Sequence, residues 1–217
     1  MLISFDLIIE TPLKVICLFT NPNLAISRRL KYSVTETGKE LVRRPYSPGQ
    51  HGQKRAKISE YGIQLQEKQK VRFTYGVSEK QFKKTFNEAK KLQGKQGESF
   101  LFLLESRLDN LVYRAGFSKT RRQSRQLVNH GHITVNNKVV DIASFQCQIN
   151  DVIGVKPKAT SKNIVESNLK NVNFIDPPTH LTLDKTKLEG TVKNYCDRSE
   201  ILLELNELLV IEYYSRR

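Results

Sequence analysis

From Phe100 onward, apolar residues recur at Leu101, Leu104, Leu108, Leu111, Val112 and Ala115. Steps of three and four place them on one face of a helix, and the run predicts a single helix ending at Gly116. Ser118 can cap a second helix that stops at Gly131. Ile133 and Val135 then alternate with polar neighbours, Asn136-Asn137 suits a tight turn with positive φ, and Val139 returns, which together predict a hairpin. "DVIGV" at residues 151–155 supplies a further strand. Upstream, Ser59 can cap a helix through about Thr74, with Ile63, Leu65 (or Gln66), Lys70 and Phe73 in an imperfect amphipathic pattern and Gly76 at its end. "SEKQ", Ser78 to Gln81, is a capping box opening a helix that buries Phe82, Phe86 and Ala89. "GKQG", residues 94–97, reads as a flexible joint and domain boundary. Residues 156–172 are polar and predict a linker with room for a short helix, whereas "NELLVIEYYS", residues 206–215, is apolar on both faces and predicts a buried strand.

The chain has 217 residues, 38% of them hydrophobic and 27% charged, which places it among globular proteins. Its net charge of +14 is unevenly spread. Residues 1–25 carry −1, residues 26–98 carry +11, residues 99–155 carry +3 and residues 156–217 carry +1. Such asymmetry predicts a polyanionic partner. Nucleic acid fits better than a membrane surface, because the basic stretches hold Tyr, Gln, Asn and His rather than an opposing Leu/Trp face. No apolar run approaches the roughly 20 residues of a membrane-spanning helix. The opening 23 residues are interrupted by Asp6, Glu10, Pro12 and Lys14 and lack the basic start of a secretory signal. Cys17, Cys147 and Cys196 are widely spaced, without CxxC or Cys/His pairing, so reduced thiols and no metal or cofactor are expected.

Within this frame the segment "FSKTRRQSRQLVNHGHITVNNKVV", residues 117–140, stands out, since no acid occurs between Asp109 and Asp141. On a helical wheel, Thr120, Ser124, Leu127 and Val128 share one narrow side. Lys119, Arg122, Arg125, Gln126 and Asn129 share the other, with Arg121 at the flank. Together with Thr120, His130 and His132, and with Asn136 and Lys138 on the hairpin, they form a predicted cationic ridge. Guanidinium forks match phosphate oxygens, and amide side chains reach 2′-hydroxyls or base edges, so the ridge predicts RNA binding. A second candidate surface lies in and before the irregular loop at residues 40–57: Arg28, Arg29, Arg43, Arg44 and Tyr46. Gln50, His51, Lys54, Arg55 and Lys57 complete it, with Gly49 and Gly52 expected to let the backbone approach phosphates.

The stretch "LESRLDNLVYRAGFSKTRRQSRQLVNHGHITVNNKVVDI" resembles the ribosomal-protein-four-type RNA-binding domain. "SRRLKYSVTETGKEL", "RPYSPGQHGQKRAKISEYGIQLQEKQKVRFTYGVSEKQF" and "NELLVIEYYSR" resemble further motifs of the small-subunit ribosomal protein four family, so the likeness runs in order over residues 26–217. The resemblance implies an α+β fold: a mostly helical N-terminal domain (residues 26–98 plus 173–217) completed by a C-terminal strand, with an inserted two-helix and small-sheet RNA-binding domain at 99–172. It further implies a structural constituent of the small ribosomal subunit that binds small-subunit ribosomal RNA early in assembly and influences decoding accuracy. Its implied partners are small-subunit ribosomal protein five, neighbouring small-subunit proteins and mRNA near the entry side, with no membrane. The implied location is the cytoplasmic ribosome of a bacterium, or the ribosome of a plastid or mitochondrion. Residues 1–25 stand outside the resemblance as an N-terminal extension or the product of an upstream start codon, the latter preferred. The cysteine cluster that some members carry is absent, which removes the expectation of zinc.

Two other classes fit the sequence less well. "RLD", Arg107 to Asp109, resembles the catalytic aspartate motif of pseudouridine synthases, but it falls inside a periodic helix, where a surface Asp–Arg pair is the simpler expectation. Stand-alone RNA-binding chaperones of stalled ribosomes lack "PGQHG" and "NELLVIEYYSR", both present here.

Overall fold

The computed structural model describes residues 22–36, 38–54, 57–171, 178–184, 186–194, 196, 198, 201 and 205–216. The chain divides into two compact units between Gly62 and Ile63. In the first, α1 (Pro22–Leu30) and α2 (Lys39–Arg43) pack together around buried Leu30 and Val34. Polar side chains tie their connection: Ser27 Oγ accepts from the Val34 amide at 3.1 Å, and Glu40 Oε1 accepts from Ser33 and Thr35 hydroxyls at 3.0 Å each. Helix α1 begins at Pro22, so residues 22–25 belong to the fold and not to an extension. The rest of that segment, Cys17 included, lies outside the described residues.

The helix α3 (Glu60–Tyr75) starts where the sequence predicts, with the Gly62 amide donating to Ser59 Oγ at 3.2 Å. Helix α4 (Glu79–Ala89) starts on Ser78, whose hydroxyl accepts from the Gln81 amide. It buries Phe82, Phe86 and Ala89 against α5 (Gln96–Glu105). Residues 94–97 are no domain boundary, because α4 and α5 pack side by side across them and Gly97 is buried within α5.

Three expectations from the sequence need correction. The helix expected from Phe100 to Gly116 is two helices, α5 and α6 (Leu108–Arg114), broken at Ser106-Arg107. Arg107 is extended (φ −68°, ψ 138°) and bridges to Gln146. The carbonyls of Phe145 and Ala143 then accept from the Leu108 and Asp109 amides at 2.8 and 3.2 Å. A segment nearly forty residues away thus satisfies amides that a helix start leaves open. The expected C-terminal strand is a helix, α9 (Glu207–Ser215), capped by Asn206 Oδ1 at 3.2 Å from the Leu208 amide. Its buried residues, Val210, Tyr213 and Tyr214, follow helical spacing, whereas Leu208 is 65% exposed. The Tyr214 ring lies 4.6 Å from Phe86 and 6.3 Å from Phe82, and Gln64 donates to Glu212 at 2.9 Å. Gly97 admits this helix: a Cβ there would sit 2.7 Å from Glu207 Cγ.

The third correction concerns residues 156–192. The helix that the polar segment left room for is longer and more firmly packed than a linker would be: it is α8 (Ala159–Asn171), whose Val165 is fully buried. Beyond it, β4 (Leu181–Asp184) and β5 (Glu189–Val192) join the hairpin β1 (Ile133–Val135) and β2 (Lys138–Val139) and the strand β3 (Val152–Val155). The order is β2-β1-β3-β5-β4, with every pairing antiparallel. Residues 181–192 therefore extend the sheet of the predicted RNA-binding domain and are not part of the helical group. The hairpin turn is as expected, with Asn136 and Asn137 at φ 50° and 66°. One apolar core, including Leu108, Val112, Phe117, Val128, Ile133 and Ile153, joins α6 and α7 (Arg121–Asn129) to the sheet. The class is α+β, helix-rich with one small antiparallel sheet.

Candidate nucleic-acid interface

Thr120, two residues beyond the predicted Ser118, caps α7 by accepting from the Gln123 amide at 3.2 Å, while the Ser118 hydroxyl donates to the Thr120 carbonyl. Ser124, Leu127 and Val128 are buried, as the wheel predicts. Lys119, Thr120, Arg122, Gln126, Asn129 and His130 are exposed and give the helix one polar, cationic face. Asn137, Lys138 and Val139 are exposed on the adjoining hairpin.

Arg121 and Arg125 do not share that face. Arg125 Nη2 lies 2.7 Å from Asp109 Oδ2 and 3.3 Å from the Tyr75 carbonyl, and Nη1 donates to the Gly76 carbonyl at 2.7 Å. Its cation therefore sits at the negative C-terminal end of α3, a favourable place. Arg121 Nε donates to Asn110 Oδ1 at 2.9 Å, and its guanidinium lies 4.5 Å from the Tyr113 ring centroid and 5.3 Å from that of Tyr75. Desolvated cation–ring contacts of this kind are among the stronger ones. Both arginines fasten α7 to the helices beside it.

Behind these contacts lie two buried carboxylates, Asp109 and Glu105. Asp109, 4% exposed at its side chain, receives Arg107 through a two-point contact of 3.1 and 2.8 Å as well as Arg125. It is a buried clamp and not the surface pair expected from "RLD". Held by two guanidinium groups and shut from solvent, it cannot serve as a nucleophile on a nucleotide. Glu105 accepts from Tyr75 Oη at 2.5 Å, from Arg114 at 3.0 Å and from Asn110 Nδ2. Burial by itself would raise the Glu105 carboxyl, but the Arg114 and Arg121 charges and the Tyr75 hydrogen bond reverse this and hold it down to about 2. Burial and the neighbouring Glu105 push the Tyr75 phenol well above its usual range, so it stays a donor. The sequence signal for these anchors was the RLDN run itself, but its partners lie on other elements.

The depressed Glu105 pKa carries a pH prediction. Unfolded, the carboxyl takes its proton near 4.5, and folded near 2, so its contribution is complete above about pH 5 and is lost as pH falls towards 2. Its full size at neutral pH is on the order of 3 kcal/mol. Glu105→Gln should lower stability at pH 7 and flatten the acid limb between pH 5 and 2 in a denaturation series. An unchanged acid limb would refute this role.

Two further predicted contacts are partly consumed within the fold. Asn136 Nδ2 donates to Asp151 Oδ1 at 2.8 Å and its Oδ1 accepts from the Val152 amide at 2.9 Å, so it pins the hairpin to β3. His132 Nδ1 lies 2.9 Å from Ser161 Oγ, which holds its half-buried ring against α8.

In the first unit, Arg28 Nε donates to the Tyr46 carbonyl at 3.1 Å and its guanidinium lies 5.2 Å from the Tyr46 ring centroid, both side chains half-buried. Arg29, Arg43, Arg44, Gln50, His51, Lys54 and Lys57 are exposed, and Arg55 lies outside the described residues. Gly52 serves the loop itself rather than a phosphate: a Cβ there would lie 1.9 Å from the Ser47 carbonyl oxygen. Gly52→Ala should therefore displace residues 47–52 without unfolding the rest. Backbone amide shifts confined to residues 43–54 would show it, and an unperturbed loop would contradict it.

Among the described residues no cluster of His, Cys, Asp and Glu could hold a metal ion, and no helix is long and apolar enough to cross a membrane. The Cys147 thiol is buried and pushed up to about 12 by desolvation and Asp151.

Comparison with known proteins adds the lineage. The model of the ribosomal protein S4/S9 N-terminal domain matches residues 19–105, seven residues earlier than the sequence resemblance begins, and that of the S4 domain matches residues 106–153. The two meet at the break between α5 and α6. The chain is 58% identical over 198 residues to small ribosomal subunit protein uS4 of Phytoplasma australiense, covering 91% of this chain and 98% of the relative. It is 56% identical over 199 residues to the protein of that name from Acholeplasma laidlawii, and 55% identical over 199 residues to that of a Geobacillus strain, with the same coverage in both. The chain belongs to the small ribosomal subunit protein uS4 family.

Proposed function

We propose that this protein is a non-enzymatic, RNA-binding constituent of the small ribosomal subunit, and that the exposed face of α7 with the adjoining hairpin lies on ribosomal RNA. The observation that carries the reading is the division of labour on α7. Arg121 and Arg125 are spent on Asp109, Asn110 and the end of α3. Lys119, Arg122, Gln126 and Asn129 are exposed on the adjoining side of a rigidly held helix. Such a helix offers pre-positioned charge, so little ordering entropy opposes binding. The exposed arginines and lysines from Arg29 to Lys57 offer a second basic surface to the same polyanion.

The uS4 name of the relatives supports the subunit assignment. From it follow the finer proposals: binding early in subunit assembly, an influence on decoding accuracy, contact with small-subunit protein five, and proximity to mRNA at its entry side. Architecture supports a helical group of α3, α4 and α5 closed by α9, with α6, α7 and the sheet as the RNA-reading part.

Hydroxyl-radical footprinting on a transcribed small-subunit ribosomal RNA tests the reading. Full-length protein should protect a defined set of backbone positions, and cleavage agents tethered at residues 122 and 129 should cut beside them. Uniform weak protection with no tethered cleavage would overturn it.

A further inference from the structure

One face of α4 belongs neither to the helical core nor to the α7 face. Phe82, Thr85, Phe86 and Ala89 point into the helical core. The outer side carries Lys80, Lys83, Lys84 and Asn87, continuing into Lys90 and Lys91, all exposed. At 1.5 Å per residue, Lys80 to Lys91 span about 16 Å. Lys80, Lys83, Lys84, Asn87 and Lys91 line a shallow groove of about 400 Å³ together with Glu88.

Several features distinguish this stripe from an ordinary solvated face. Exposed helices usually pair opposite charges at i, i+3 and i, i+4, yet here Lys80 faces Lys83 and Lys84 at those spacings, and like charges so placed repel. Lys80 also sits in the first turn, where the helix dipole disfavours a cation. The acid that could neutralise that end, Glu79, is turned away: Lys68 Nζ lies 2.7 Å from its Oε1, and Tyr214 Oη donates to the same oxygen at 3.0 Å. Glu88 pairs with Lys84 at a long 3.9 Å, with the lysine 78% exposed. The local electrostatics therefore work against the isolated helix and favour a bound anion. All the cations are lysines, which act as point charges without a fork to fit, so the face suits an extended run of phosphates more than a single oriented group. Asn87, midway along, can reach a sugar hydroxyl.

We infer that the lysine face of α4 is a further RNA-backbone contact, sequence-independent and distinct from the α7 face. This rests on the RNA-binding reading above and extends it to a third surface, on a helix of the S4/S9 N-terminal domain match.

The experiment compares salt dependence of binding to a transcribed small-subunit ribosomal RNA for three full-length variants: Lys80→Gln/Lys83→Gln/Lys84→Gln, the same three residues changed to Arg, and Lys119→Gln/Arg122→Gln on α7. The Gln triple should flatten log K against log[salt] by about two to three units, since each phosphate contact contributes somewhat under one. The Arg triple should keep the wild-type slope, which separates charge from any effect on folding. A Gln triple with the wild-type slope, while the α7 variant loses slope, would overturn this inference and leave the proposed function standing. If neither variant moves the slope, the α7 reading falls as well. A slope lost equally in the Gln and Arg triples would mean that the helix had been disturbed, and would count against a phosphate contact.

Discussion

Removing residues 206–217 should unfold α3, α4 and α5 while the core of α6, α7 and the sheet keeps its protection. Helix α9 contributes Val210, Tyr213 and Tyr214 to the helical group, and Tyr214 stacks over Phe86 at 4.6 Å. It also carries Glu212 and the Tyr214 hydroxyl to partners on α3 and α4. Removing one buried aromatic side chain typically costs about 3–5 kcal/mol. Losing three buried side chains and their hydrogen bonds at once therefore rivals the roughly 5–15 kcal/mol that holds a whole domain. The apolar cluster from Leu108 to Val192 includes no α9 residue, so it has its own reason to persist. Hydrogen exchange on the truncated chain reads both parts together. Unchanged protection of residues 63–105 would show that α9 is an accessory and not a closing element.

Changing Arg121 and Arg125 to Ala together should cost stability, on the order of 3 kcal/mol, and leave the salt slope of RNA binding nearly unaltered. Both side chains are directed at protein: Arg125 at Asp109 and the carbonyls that end α3, Arg121 at Asn110 and two tyrosine rings. Their loss leaves Asp109 with Arg107 alone and lets α7 shift. Lys119→Gln/Arg122→Gln should do the reverse, flattening the slope by about two units with little change in melting temperature. The crossed pattern is the test. If the Arg121/Arg125 variant loses slope, those guanidinium groups reach phosphate after all and the inward assignment is wrong.

The naming of the family was legible from short motifs, and so was most of what forms within ten residues. The caps at Ser59 and Ser78, the buried stripe of α4, the turn at Asn136-Asn137 and the inner side of α7 all depend on neighbours in sequence, whose periodicity and turn chemistry act locally. The apolar run at residues 206–215 failed as a guide because a segment hydrophobic on both faces satisfies helix and strand alike. Only the Asn206 cap and the shape of the surface formed by Phe82, Phe86 and Gly97 decide for the helix.

The sequence by itself determined that this chain is a basic, RNA-directed member of its family, and which faces of its helices are apolar. Tertiary structure decided how its charges are spent. Arg121 and Arg122 are neighbours of one chemical type, yet one is stacked between Tyr75 and Tyr113 and the other is exposed. Arg125 meets its partners 16 and 50 residues away in the chain. A guanidinium goes wherever a buried carboxylate would otherwise be left uncompensated, and that location exists only once distant segments have packed.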